Sequence, residues 1–194
     1  MSLTTWFVVF ANGPTSFRYF AYHLLLQPVA LALFSYGTSF RICILTLQPT
    51  SQPRTKAAGL ERHQTSIFTL GFPVVTLGTL AVAYNKYLRD YPHFKTWHAK
   101  LGLACMIWIF IQLCIGAGST WSNGALFGGG ARAKALWKYH RLSGYILFGL
   151  MLFTAHLGGG WSEWGQNYTN DLVRFVAYTL SPGLIVAGVY LRVR

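Results

Sequence analysis

Residues 96–118 read TWHAKLGLACMIWIFIQLCIGAG, which places one histidine at the start of a long apolar run. A helix needs about 20 apolar residues to cross the hydrocarbon core of a bilayer, which is about 30 Å thick. The run that starts near Leu101 reaches that length. We therefore predict a membrane-spanning helix with His98 near its N-terminal end.

Four other segments have the same character. Apolar runs start near Tyr19, Ser66 and Leu172, and one more covers residues 136–157 if the basic side chains near its start snorkel to the interface. The opening stretch, residues 3–11, is too short to cross and resembles the end of a helix whose first part is missing. We predict an all-α membrane protein with one domain over residues 1–194: a bundle of five full transmembrane helices plus an N-terminal partial helix.

Composition supports the membrane class. Hydrophobic residues make up 53% of the chain, charged residues 10%, and the mean hydropathy is +0.38, which is too apolar for a soluble domain of 194 residues. The net charge is +12, but the basic residues lie in short clusters between apolar runs, as membrane topology requires. We therefore exclude nucleic acid as a partner. The three cysteines predict no disulfide framework.

The connecting segments are rich in Gly, Pro, Ser or charge. They are predicted as loops over residues 12–14, 48–56, 89–95, 119–134 and 158–170. Arg41 interrupts the first full span. We interpret residues 38–43 as an insertion in that helix.

Four histidines stand near the N-terminal ends of four successive apolar segments: His23, His63, His98 and His140. Consecutive membrane helices run in opposite directions, so the first and third lie on one side and the second and fourth on the other. Two imidazoles that face each other across a bundle are suitable axial ligands for a haem iron. We predict two haems, carried by the central four helices and separated by about 10 to 20 Å if each histidine lies one to two turns inside its helix.

Small residues near these histidines suggest room for a cofactor. Gly102 follows His98 by four positions, and Gly144 follows His140 by four positions, so each glycine lies on the same helical face as its histidine. A porphyrin could lie flat there, although glycine is also common at helix contacts in lipid. We interpret His93, in a loop, and His156, at the far end of a helix, as residues that bind no iron.

Charge counting orients the chain. One side receives Arg54, Lys56, Arg62, Arg132, Lys134, Lys138, Arg141, Arg192 and Arg194. The other receives Arg18, Lys86, Arg89, Lys95, Lys100 and Arg174. The positive-inside rule makes the first side cytosolic, with the C-terminus inside.

Several motifs around the histidines resemble the eukaryotic cytochrome b561 family of transmembrane oxidoreductases. They are Tyr22-His23, GLERH at residues 59–63, TWHAKLGL at 96–103 and KYHRLSGY at 138–145. The resemblance covers nearly the whole chain from about Trp6. It implies six helices whose central four carry two b-type haems, ligated by the first with the third histidine and the second with the fourth. It also implies a cytosolic reductant, commonly ascorbate, and an acceptor across the membrane such as monodehydroascorbate or ferric iron.

Basic residues near each pair are candidate substrate contacts. On the predicted cytosolic side they are Arg54, Lys56, Arg62, Lys138 and Arg141, which would hold an anionic donor. On the opposite side Lys95 and Lys100 would attract an anionic acceptor. Positive-inside bias or anchoring at the interface would also place basic residues at these positions.

The expected partners are a small-molecule electron donor and acceptor, the lipid bilayer and, as a candidate assembly, a second copy of the chain. The expected location is an endomembrane, such as the endoplasmic reticulum or vacuole, or the plasma membrane. Two other functions compete with this interpretation. One is a haem-binding membrane anchor that exchanges electrons with a quinone in a larger complex, and the other is a haem-free protein with incidental histidines.

Overall fold

The computed structural model describes the backbone of residues 1–47 and 53–193. It describes the side chains of residues 1–38, 57–189 and 191. The long helices are α3 (Phe20–Leu47), α4 (Pro53–Gln64), α5 (Phe72–Leu88), α6 (Trp97–Thr120), α8 (Trp137–Gly160) and α11 (Ser181–Val193). The shorter ones are α1 (Ser2–Ala11), α2 (Pro14–Phe17), α7 (Gly130–Ala135), α9 (Glu163–Tyr168) and α10 (Asp171–Phe175). Two π-helical turns, Thr65–Gly71 and Val176–Leu180, join α4 to α5 and α10 to α11.

Five segments are long and apolar enough to cross a bilayer. They are Phe20–Thr38, Ala57–Leu88, Trp97–Phe127, Gly130–Gly160 and Asp171–Val189. α1 is apolar but has only 10 residues. The prediction of five spans and a short N-terminal helix is confirmed.

The second span begins earlier than the apolar run near Ser66 predicts. α4 starts at Pro53, so residues 53–56 of the predicted loop are helical, while 48–52 lie outside the described residues. Sequence hydropathy misses α4 because most of its residues are polar, although proline suits the first helical position. His63 therefore lies inside a continuous helix rather than at its start.

Two other predicted loops also contain helix. Residues 119–134 include a 3₁₀ segment, Trp121–Phe127, and most of α7, while residues 158–170 include α9. The hydroxyl of Ser162 accepts a hydrogen bond from the backbone N–H of Gly165 at 3.1 Å, which caps α9. The α3 backbone runs without interruption through residues 38–43. The Arg41 side chain lies outside the described residues.

The helices pack as two hairpins that follow chain order. α3 packs along the α4–α5 helix, and α6 packs along α8. α3 and α8 touch in the centre, where four helices contribute a common apolar core. That core contains Ala30, Leu31, Phe34, Val75, Cys105, Ile109, Leu147, Phe148, Met151 and Leu152.

The N-terminal helix and the last span close one side of the bundle. α11 packs against α3 and α8, and α1 packs against α3. The hydroxyls of Thr5 and Tyr178 lie 2.7 Å apart, which links α1 to the π turn before α11. Large apolar side chains on the outer surface, such as Leu80, Ile107 and Phe110, are more than half exposed and would contact lipid. The chain is an integral, multi-pass membrane protein.

Candidate functional site

The four predicted histidines form two facing pairs. The ring centroids of His23 and His98 lie 6.0 Å apart, and those of His63 and His140 lie 6.3 Å apart. The rings of each pair are nearly perpendicular, at 83° and 89°. Imidazole nitrogens bind a metal ion at about 2 Å, so two rings on opposite sides of one ion have centroids about 6 Å apart. Both separations fit one ion between two rings.

The orientation of three of these imidazoles is fixed by a neighbouring helix. In each of the three, Nδ1 contacts a backbone carbonyl oxygen: His23 with Gly78 at 3.1 Å, His63 with Gly37 at 3.2 Å and His98 with Thr154 at 2.8 Å. A carbonyl oxygen only accepts, so Nδ1 must carry the proton. This tautomer leaves the Nε2 lone pair for a metal, which is the usual arrangement of histidine ligands in metal sites.

Glycines let the facing helices approach the rings. A Cβ placed on Gly158 would lie 2.6 Å from Cε1 of His98, and one on Gly116 would lie 3.1 Å from Cε1 of His140. The other two histidines donate to carbonyls at glycines. The four glycines are Gly37, Gly78, Gly116 and Gly158, and each lies 14 to 18 residues after a histidine of its own helix. Each helix thus supplies one histidine of the set at one level and a glycine contact to another histidine at the other level.

The donor set matches a haem iron better than a bare ion. Among the side chains that the structure describes, no group of three or more His, Cys, Asp or Glu residues lies together. Each pair therefore offers two imidazoles, with no third His, Cys, Asp or Glu beside them among those described side chains. A porphyrin brings the four equatorial nitrogens that would complete six-fold coordination.

The family comparison agrees with this geometry. A family model described as eukaryotic cytochrome b561 matches residues 44–165. The chain belongs to the eukaryotic cytochrome b561 family. A search of individually curated proteins found no match to the chain.

Proteins of the cytochrome b561 family are transmembrane oxidoreductases that transfer electrons through haem b, and this general activity follows for the chain from its membership of the family. The matched range includes His63, His98 and His140. It begins after His23, so the assignment of that ligand depends on its geometry opposite His98.

A large cavity of the b561 bundle lies between His63 and His140. It opens to the surface and is lined by residues of both hairpins, among them Leu60 and Ile67 from the first and Leu113 and Tyr145 from the second. Its inner wall is apolar and comes from the common core, with Phe34, Ile109, Leu147, Phe148 and Met151. Polar groups lie nearer the helix ends, among them Gln64, Thr120, Trp137 and Arg141.

The two predicted cofactor glycines take different places. Gly144 lines the cavity, and a Cβ there would lie 3.3 Å from Nε2 of Gln112. Gly102 faces α8, where a Cβ would lie 3.9 Å from the Thr154 methyl group. Gly102 thus lies at the contact between α6 and α8. The glycines that lie against the imidazole rings of His98 and His140 are Gly158 and Gly116, each on the neighbouring helix.

Gln112 is a site residue that the sequence interpretation missed. Its side chain is buried, lines the cavity and donates a hydrogen bond to the backbone carbonyl of His140 at 2.9 Å. Gln112 is the one amide in the apolar run of residues 101–118. Polar residues inside a membrane helix are typically functional, so the sequence does single out this position. It ties α6 to the helix turn that carries the ligand.

Basic residues on the predicted cytosolic side are not equivalent. Arg141 lines the cavity, whereas Arg62 lies in a neighbouring groove beside Glu61. Lys138 is exposed, with Nζ 4.8 Å from the centre of the Tyr139 ring. The side chains of Arg54 and Lys56 lie outside the described residues.

On the other side, Lys95 and Lys100 flank the start of α6. Both are exposed, and Nζ of Lys100 lies 5.0 Å from the Trp97 ring. The hydroxyl of Thr96 accepts from the N–H of Ala99 at 3.3 Å and caps this helix. The basic pair therefore sits within one turn of His98.

The remaining histidines lie elsewhere. His93 is exposed in the loop before α6. His156 points toward the last span, with Nδ1 2.9 Å from the carbonyl oxygen of Tyr178. Neither forms a facing pair with one of the four predicted ligands in the described contacts.

Proposed function

We propose that the chain carries electrons across the membrane through two b-type haems. His23 and His98 would hold one, and His63 and His140 the other. The single observation that carries this proposal is the pair of ring separations, 6.0 and 6.3 Å. Bound haem supplies an iron that alternates between the ferric and ferrous states. Because an imidazole would bind the iron from each side and leave no open position, the residues favour electron transfer over oxygen chemistry.

The two imidazole levels lie near the upper end of the 10 to 20 Å spacing expected from sequence. Along α3, His23 and Gly37 mark the two levels and are 14 residues apart, or about 21 Å. The apolar core between the levels keeps water and ions out.

The direction of transfer rests on charge. The cavity at His63 and His140 faces the side with more basic residues, which the positive-inside rule makes cytosolic. Arg141 on its wall, with Arg62 and Lys138 nearby, suits a small anionic reductant such as ascorbate. Lys95 and Lys100 beside His98 suit an acceptor such as monodehydroascorbate or chelated ferric iron.

The test is a haem count followed by a vectorial assay. Purified protein should contain two low-spin b haems per chain, measured by pyridine haemochrome and electron paramagnetic resonance. In vesicles loaded with ferricyanide, ascorbate added on the predicted cytosolic face should reduce the trapped acceptor. A chain with no haem would overturn the proposal. Reduction by a quinol but not by ascorbate would favour a quinone-linked anchor instead.

A further inference from the structure

Trp137 has a buried indole N–H without a partner. Its Nε1 is shielded from solvent and meets no hydrogen-bond acceptor in the described part of the chain. Leaving a buried donor unpaired costs about 1 to 3 kcal/mol. The same side chain lines the cavity between His63 and His140. A hydrogen-bond acceptor that reaches this N–H from the cavity would satisfy it.

The position of Trp137 fits the rim of a ligand held by His140. Trp137 begins α8, three residues before His140 and four before Arg141, and all three line the cavity from one helical face. Indole is a donor only, so its partner must accept. Arg141 places a positive charge beside it. A donor and a cation one turn apart suit a carboxylate.

We propose that the Trp137 indole N–H donates a hydrogen bond to a carboxylate of the haem held by His63 and His140, with Arg141 as the neighbouring cation. This inference rests on the proposed function. Haem b carries two propionate carboxylates on one edge. Trp137 is thus a positioning residue that fixes which edge of the macrocycle faces the cavity mouth.

A second indole in the same cavity argues for the haem rather than an exchanging donor. The Trp121 side chain is 54% exposed, and its ring packs on Phe68 at 5.3 Å. An anion that enters from solution would meet that exposed ring first. The buried N–H of Trp137 suits a resident carboxylate, which exchanges slowly and excludes water.

The experiment compares Trp137→Phe with Trp121→Phe, each placed on His23→Ala so that the chain retains only the haem of His63 and His140. We would measure haem transfer to excess apomyoglobin and the propionate bending band in the resonance Raman spectrum. Removing a charge-assisted hydrogen bond of about 1.4 kcal/mol should speed haem loss about tenfold. The band should shift in Trp137→Phe alone.

A second replacement guards against misfolding. Benzothienylalanine at position 137 keeps the bicyclic ring but has sulfur in place of N–H, and it should show the same faster loss and band shift. Equal haem loss and an unchanged band in all variants would overturn the inference. So would a rise in the half-saturating ascorbate concentration with haem retention unchanged, since the N–H would then serve the donor. Absence of haem from the parent would instead refute the proposed function.

Discussion

The ring of His98 occupies the space that a side chain at Gly158 would fill. A Cβ on Gly158 would lie 2.6 Å from Cε1 and 2.7 Å from Nδ1 of His98. The same ring donates to the carbonyl of Thr154 at 2.8 Å, so it cannot retreat without losing that bond. The place of this ligand is therefore set by a residue 60 positions away in the chain.

Gly158→Ala should displace the imidazole of His98 and weaken the haem site that it shares with His23. Overpacking of this kind costs about 1 to 3 kcal/mol. Haem content should fall from two toward one per chain. The matched control is Gly149→Ala on the same helix, where a Cβ meets nothing within 4 Å and haem content should not change. Two haems in the Gly158→Ala protein, with unaltered midpoint potentials, would contradict this account.

Single ligand changes should separate the two haems. If each pair shares one iron, as proposed, His63→Ala or His140→Ala should remove the haem on the predicted cytosolic side, and His23→Ala or His98→Ala should remove the other. Each variant should retain about half of the parent's haem, as measured by pyridine haemochrome. His93→Ala, which changes an exposed loop histidine, is the control. Retention of full haem content by all four ligand variants would refute the pairing.

Replacement of basic residues near the cavity should weaken donor binding in a graded way. Arg141→Ala should raise the ascorbate concentration for half-maximal reduction most, since Arg141 alone of the three lines the cavity wall. Lys138→Ala and Arg62→Ala should each raise it about two- to fivefold, as expected for exposed charges. The effect should shrink as salt rises. Lys95→Ala, on the opposite side, should leave this concentration unchanged, and an equal effect there would contradict a local donor site.

On the other face, neutralising Lys95 and Lys100 together should slow oxidation by an anionic acceptor. Both side chains are exposed near the start of α6, so they act by attracting the acceptor rather than by holding His98. Stopped-flow oxidation of the pre-reduced protein by ferricyanide at low salt would measure the change. The Lys→Arg pair keeps the charge and should behave like the parent. A rate equal to the parent's for the neutral pair would place the acceptor elsewhere.

The sequence predicted the five spans and which histidines face each other, because helix length and the alternation of helix direction follow from hydropathy. Hydropathy does not predict α4, because its polar residues give no apolar run before Ser66. The sequence also did not predict which glycines contact the histidine rings. Gly116 and Gly158 matter through contacts between helices, which linear periodicity does not reveal, whereas Gly102 and Gly144 follow from spacing on one helix.

The two helical hairpins carry a consequence for assembly. His23 and His63 belong to the first hairpin, and His98 and His140 to the second, so each facing pair takes one imidazole from each hairpin. Each hairpin nevertheless orients its own imidazoles through its own backbone, as the Gly78 and Thr154 carbonyls do. Each hairpin can therefore insert into the bilayer with its two imidazoles already oriented. Two haems, one held by each pair, would then link the halves in addition to the helix contacts, and two fragments divided between α5 and α6 should associate more tightly when haem is supplied.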